Sequence, residues 1–60
     1  MTVNELILDS LEPLENFRIN DITLTRKTYE KYYDREIKSF YLDVNKITHL
    51  PYINIILEEN

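Results

Sequence analysis

The stretch Arg26–Val44 (RKTYEKYYDREIKSFYLDV) decides the fold, because it can be arranged either as one helix or as a hairpin. On a helix its apolar residues share one narrow stripe, made of Tyr29, Tyr33, Ile37, Phe40 and Val44. Against this, Phe40–Val44 alternates as a strand does, and a hairpin turning at Asp34-Arg35 is the competing interpretation. Because Thr28–Tyr33 shows no clean alternation, we predict a helix over 26–43 and keep the hairpin as the alternative.

The segment before it begins with a helix signal. Thr2 and Glu5 have the spacing of a capping box, in which each side chain bonds the backbone N–H of the other residue. Apolar residues then recur at helical intervals, at Val3, Ile7, Leu11 and Leu14. Pro13 disfavours helical geometry at Glu12. These signals predict a helix from Val3 to Glu12.

Two further segments have strand character. Phe17–Thr25 alternates in two halves whose phase breaks at Asn20-Asp21, which is typical of a strand with a bulge or bend. Tyr52–Leu57 alternates and is rich in β-branched residues, and we predict it to be a strand. Asn45–Pro51 is expected to connect it to the preceding element. The chain has no glycine, so the expected positions for positive φ are the asparagines Asn16, Asn20 and Asn45.

Together these elements predict a small α+β domain that spans residues 1–60 in the order α-β-α-β. The central helix would cross over between two parallel strands. Two parallel strands alone make a poor sheet, and a homodimer that joins two sheets would relieve this. The alternative is one helix over an antiparallel sheet. A domain of 60 residues is only marginally stable by itself, which also favours association.

Composition excludes several classes of site. The chain has no cysteine and one histidine, His49, which excludes disulfides and histidine-rich or cysteine-based metal sites. Without glycine it cannot form the phosphate-binding loops of nucleotide-binding proteins. Neither serine, Ser10 or Ser39, stands in a context that would expose a nucleophile. We therefore expect no enzymatic activity, no cofactor and no metal.

The net charge of −4 argues against general nucleic-acid binding, because phosphates are neutralised by clustered basic residues. Residues 18–46 form an exception, with seven basic and five acidic residues and a net charge of +2. If the central segment is helical, Lys27, Lys31 and Lys38 share its outer face. The alternative hypothesis is that the chain is a homo-oligomeric regulator associated with nucleic acid, which this lysine face would contact.

The acidic first segment and the tyrosines point instead to a protein partner. Residues 1–17 carry four acidic side chains and no basic one, and five tyrosines are more than so small a domain can bury. On the helical interpretation Tyr29 and Tyr33 enter the core, whereas Tyr32, Tyr41, Leu24 and Leu42 lie outside it. The candidate partner-binding residues are Glu5, Asp9, Glu12, Glu15, Tyr32, Tyr41 and Leu42, with Leu24 beside them.

The composition also bears on source and function. Abundant isoleucine, asparagine and tyrosine with no alanine or glycine is typical of A/T-rich coding sequence, as in low-GC bacteria and their phages. No segment approaches the ~20 apolar residues of a membrane span, and we expect a cytoplasmic protein. The leading hypothesis is a small acidic accessory factor that binds another protein, such as a phage inhibitor of a host protein. The third hypothesis is a structural subunit of a virion.

Overall fold

Helix α1 runs from Val3 to Ser10, and the capping box predicted at its start is confirmed. In the computed structural model, which describes residues 1–59, the N–H of Glu5 donates to Thr2 Oγ1 at 3.2 Å. The N–H of Thr2 donates in return to the Glu5 carboxylate at 3.1 Å. Because the charged carboxylate is the acceptor, this backbone hydrogen bond lowers the pKa of Glu5.

The end of α1 lies two residues before the predicted end at Glu12. The hydroxyl of Ser10 donates to Ile7 O and accepts from the N–H of Glu12, and so competes with the helix backbone. Leu11 then takes a left-handed conformation with φ 59. Its side chain is 92% exposed, so the predicted apolar stripe does not extend to it.

The predicted bent strand is in fact a hairpin. Strands β1 (Phe17–Ile19) and β2 (Ile22–Thr23) pair antiparallel, and Asn20 and Asp21 form the turn between them. Their φ values are 53 and 63, and positive φ at both central residues is the requirement of a type I′ turn. Asn20 was an expected position for positive φ, whereas Asp21 was not.

The other two asparagines named for positive φ do not adopt it. Asn16 ends a short 3₁₀ helix, Leu14–Asn16, that leads into β1. Asn45 begins the turn after β3 and caps it, since its side chain accepts from the N–H groups of Ile47 and Thr48. Instead, His49 takes positive φ in that turn, with φ 61.

The decisive segment Arg26–Val44 divides between a helix and a strand. Helix α2 covers Arg26–Tyr32, and strand β3 covers Ile37–Val44, so the prediction of one helix over 26–43 is wrong beyond Tyr32. The N–H of Arg35 donates to Tyr32 O, which turns the chain out of the helix. β3 then pairs along its length with β4 (Pro51–Leu57). The stabilisation from pairing with β4 is therefore greater than the preference for a helix that the spacing of the apolar stripe indicates.

The strands form a mixed sheet in the order β2-β1-β4-β3 within residues 1–59. β1 and β4 are parallel, as predicted for the strands in Phe17–Thr25 and Tyr52–Leu57. β3 adds to the other side of β4 in antiparallel orientation. The predicted α+β class is confirmed, with the crossover from β1 to β4 containing β2 and β3 as well as α2.

The core lies between one face of this sheet and the helices. Its buried side chains among the described residues are Val3, Leu6, Phe17, Ile19, Leu24 and Ile55. Leu24, expected on the surface, is 2% exposed because its N–H donates to Phe17 O and holds it beside β1. Neither helix within residues 1–59 is long and apolar enough to cross a membrane.

The turn at Asn20-Asp21 provides a test of this fold. Replacing Asp21 by valine should lower the free energy of unfolding by about 1–2 kcal/mol, because a side chain with a branched Cβ opposes positive φ. Replacing Asp21 by glycine should not lower it, since Asn-Gly is a preferred type I′ pair. Urea denaturation followed by circular dichroism measures both, and equal losses in the two variants would contradict the turn.

Candidate functional site on the open face of the sheet

The sheet face that carries none of the core side chains is mainly polar and aromatic, with Ile56 as an exposed apolar residue on it. Side chains alternate along a strand and register partners share a face, so the pairing of β1, β4 and β3 assigns each residue to a face. We call the following set the tyrosine face: Arg18, Tyr41, Asp43, Tyr52 and Asn54. Arg18 comes from β1, the next two from β3 and the last two from β4.

Short contacts hold these side chains in place. The amide of Asn54 donates to the hydroxyl of Tyr41 at 2.6 Å. The hydroxyl of Tyr52 donates to Asp43 Oδ2 at 3.3 Å, across a directly opposite pair of β3 and β4. The Arg18 guanidinium lies over the Tyr52 ring, 4.1 Å from its centroid. Each side chain of the tyrosine face therefore has a contact partner within the sheet.

The environment of Tyr52 also changes its acidity. Partial burial raises the pKa of its hydroxyl, and the charge and hydrogen bond of Asp43 raise the pKa further. Arg18 acts in the opposite direction. The phenol is thus held in its neutral, hydrogen-bonding form. The stability that this environment contributes is present below the pKa of an unfolded tyrosine and is lost as pH rises through the folded pKa.

A shallow groove continues the tyrosine face toward the turn between β3 and β4. Its volume is about 190 Å³, and Arg18 and Tyr52 line it together with Glu15 and Leu50. A smaller groove of about 80 Å³ lies on the core side of β3, with Glu12 and Leu42 in its lining. Two of the four acidic residues singled out from the sequence therefore border grooves.

The other two acidic candidates have different surroundings. Glu5 is exposed but belongs to the capping box of α1. Asp9 is exposed near the end of the same helix. The structure therefore does not gather Glu5, Asp9, Glu12 and Glu15 on one helix, because α1 ends at Ser10. Their role in binding a partner remains a prediction.

The three apolar or aromatic candidates also separate. Tyr32 is half-buried and packs against the core, whereas Tyr33, expected inside, is 48% exposed. α2 ends at Tyr32, so Tyr33 lies outside the helix on which its burial was predicted. Tyr41 and Leu42 are both exposed but point to opposite faces of β3, because they are neighbours on a strand. Of the three, Tyr41 lies on the tyrosine face.

The lysines of the alternative hypothesis do not share one helix. Lys27 and Lys31 are exposed on α2, while Lys38 lies on β3. Lys31 Nζ approaches the ring of Tyr32, at 5.4 Å from its centroid. The common helical face on which that hypothesis depended is absent, since the helix ends before Lys38. Nucleic-acid binding by these residues remains untested.

Metal-binding groups do not converge in the part of the chain that the structure describes. No group of three or more His, Asp or Glu side chains is placed to hold a metal ion within residues 1–59. Ser10 Oγ is engaged with the backbone of α1, and His49 is exposed in the turn after β3. The arrangement on the open face is suited to recognition, since it offers aromatic surface and hydrogen-bonding groups.

Sequence reasoning missed Arg18, Asp43, Tyr52 and Asn54. The signal for β4 was present, because a strand over Tyr52–Leu57 places Tyr52 and Asn54 on the same face. What could not be seen was the pairing that brings Arg18 and Asp43 to either side of Tyr52. Those contacts join residues that are 34 and 9 positions apart in the chain.

The Asp43–Tyr52 contact predicts a measurable pKa difference. Asp43→Asn should move the pKa of Tyr52 down toward its ordinary value, because the negative charge that opposes ionisation is removed. NMR titration of carbon-labelled tyrosine rings measures this, with Tyr52→Phe identifying the resonance. Asp34→Asn, in the exposed turn before β3, is the matched control and should leave Tyr52 unchanged. An unchanged pKa in Asp43→Asn would contradict the contact.

Comparison with known proteins gives no family to which the chain can be assigned: no family model, no curated protein and no solved structure matches it.

Proposed function

We propose that this protein is a non-enzymatic accessory factor that binds another protein through the tyrosine face. The observation that supports this most directly is the pair Tyr41 and Tyr52 on the sheet face that carries none of the described core side chains. Tyr41 is 46% exposed, and its hydroxyl is held by Asn54. Tyrosine and arginine are the residue types enriched at the energetic centres of protein interfaces.

Preorganisation is the physical reason why this face suits a partner. An interface loses free energy when mobile side chains are fixed on binding, by roughly 0.5–1.5 kcal/mol for each rotamer-rich side chain. Arg18, Tyr41 and Tyr52 already have partners within the sheet, so less of this cost remains. Their rings and hydroxyls still offer apolar area and hydrogen bonds.

Charge indicates the kind of partner. The chain carries a net charge of −4, and Glu15 borders the groove that continues the tyrosine face, while Glu12 borders the groove on the core side of β3. A protein with a basic surface would be attracted and oriented by this field. As part of the same proposal, the partner is a cytoplasmic host protein and the chain is an inhibitor or adaptor encoded by a phage or mobile element. The A/T-rich composition supports that origin.

The proposal is tested by capture from a low-GC bacterial lysate, with and without nuclease, followed by mass spectrometry. We expect a protein to be retained in stoichiometric amount after nuclease treatment. Capture that disappears with nuclease would instead support the nucleic-acid hypothesis and its lysines Lys27, Lys31 and Lys38. Retention of this chain alone, in defined higher oligomers, would support the hypothesis of a structural subunit.

A pair of tyrosine variants makes the test specific to the site. Tyr52→Ala should weaken binding of the captured protein at least tenfold, because it removes the ring on which Arg18 lies. Tyr33→Ala is the matched control: this ring is 48% exposed at the end of α2, away from the tyrosine face. Isothermal titration with the purified partner measures both. Equal affinities for Tyr52→Ala and the unmodified protein would contradict the proposed site.

A further inference from the structure

Strand β3 lies at an edge of the sheet, and the backbone groups on its outer side can be identified from the register. The N–H of Asn45 donates to Leu50 O at 2.9 Å, which makes these two residues a hydrogen-bonded antiparallel pair. The register is regular from Ser39 to Val44, and hydrogen-bonded pairs alternate with non-bonded ones. The backbone N–H and C=O groups that point away from β4 are therefore those of Phe40, Leu42 and Val44.

The beginning of the same edge is closed by the chain itself. The N–H of Ile37 donates to Met1 O at 2.8 Å, and the N–H of Val3 donates to Arg35 O at 3.0 Å. The pairing of β3 with β4 shifts its register just after this point, between Ile37 and Ser39. Beyond it, β3 has no further strand partner among residues 1–59.

The open part of the edge is apolar. The side chains of Phe40, Leu42 and Val44 lie on the core face of the sheet and are 50%, 71% and 48% exposed. Backbone groups that have no strand partner, beside exposed apolar side chains, form a template for another strand. The sequence of β3 indicates which strand fits.

A second copy of β3 is complementary to the first when it runs antiparallel with Leu42 on the two-fold axis. The backbone N–H and C=O groups that point outward from one β3 must face those that point outward from the other. Leu42 therefore faces Leu42 of the second copy, and Phe40 faces its Val44. Each facing pair can exchange two backbone hydrogen bonds. All the side chains in these pairs are apolar and lie on one face, where they would cover one another.

The opposite face is complementary as well. In this register Tyr41 lies opposite Asp43 of the second copy. The Tyr41 hydroxyl accepts from Asn54, so its own proton is free to donate to that carboxylate. Asp43 already accepts a hydrogen bond from Tyr52 at a directly opposite position. A tyrosine hydroxyl can therefore reach the carboxylate of an aspartate that lies opposite it on the neighbouring strand. The N–H of Val44, now bonded to Asp43 Oδ1, would turn to Phe40 O of the second copy.

Neighbouring registers that also match the backbone groups are less favourable. One centred on Asp43 places the two Asp43 carboxylates opposite each other, and like charges directly opposite are destabilising. One centred on Tyr41 places Tyr41 opposite Tyr41 and Asp43 opposite Ser39 of the second copy. It also sets the charged side chain of Lys38 opposite Val44, where the register centred on Leu42 sets Phe40. Opposite side chains are the unit of stabilisation between strands, and the register centred on Leu42 matches more of them.

We propose that two copies of this chain associate through antiparallel pairing of their β3 edges, with Leu42 at the two-fold axis. The two sheets then form one continuous sheet, and the apolar edge residues are covered. This proposal does not rest on the protein partner. β3 contributes Tyr41 and Asp43 to both surfaces, whereas Arg18 and Tyr52 of the tyrosine face lie on β1 and β4, away from the edge.

The first experiment uses the absence of cysteine in the chain. Leu42→Cys should oxidise to a covalent dimer of twice 7.3 kDa, because facing residues of a hydrogen-bonded pair have Cα atoms about 5.5 Å apart, within disulfide range. Leu11→Cys, exposed after α1, measures random collision, and should oxidise at least tenfold more slowly. Equal rates for these two variants would overturn the proposal, and faster oxidation of Tyr41→Cys would overturn the register.

The second experiment tests the two-fold axis through charge. Analytical ultracentrifugation should show a dimer for the unmodified protein, and at least tenfold weaker association for Leu42→Lys and for Leu42→Glu alone. Mixing the two variants should restore the dimer, because opposite charges then face each other at the axis. Circular dichroism checks that each variant folds, as expected for a side chain that is 71% exposed. A monomeric unmodified protein, or a mixture that stays monomeric, would overturn the proposal.

Discussion

The parallel pairing of β1 with β4 is the constraint on which the rest of the structure depends. Phe17 lies beside Ile53 and Ile19 beside Ile55, and the buried strand residues among residues 1–59, Phe17, Ile19 and Ile55, all belong to this pair of strands. Parallel strands cannot be joined by a tight turn. Everything between Asn20 and Leu50 must therefore serve as the crossover, and the remaining elements are arranged within it.

The crossover does two tasks with one segment. Its first part, α2, packs Tyr32 against the core. Its second part, β3, returns alongside β4 and gives that central strand a partner on its other side. A single long helix would have left β4 with one neighbour. The helix therefore ends at Tyr32 because the residues after it pair with β4. This pairing cannot be recognised from the helical spacing of neighbouring residues.

β3 connects the two surfaces for which we propose functions. Its odd-numbered residues Tyr41 and Asp43 contribute to the tyrosine face, while Phe40, Leu42 and Val44 present an apolar edge on the other side. Pairing of two β3 edges would place two tyrosine faces side by side on one continuous sheet. A partner with repeated or two-fold symmetric sites would then engage both, with the gain in affinity that such linkage gives.

The sequence by itself determined the elements whose signals are local. The capping box at Thr2 and Glu5, the strand around Tyr52–Leu57, the connection before it and the α+β class all follow from neighbouring residues, and each is confirmed. Positive φ at Asn20 also follows from residue type. Only the tertiary structure decided the state of Arg26–Val44, the burial of Leu24 and the assembly of Arg18, Asp43 and Tyr52. These features depend on strand register. The register is set by contacts between residues that are distant in the chain, and the local pattern of apolar residues gives no information on the free energies of such contacts.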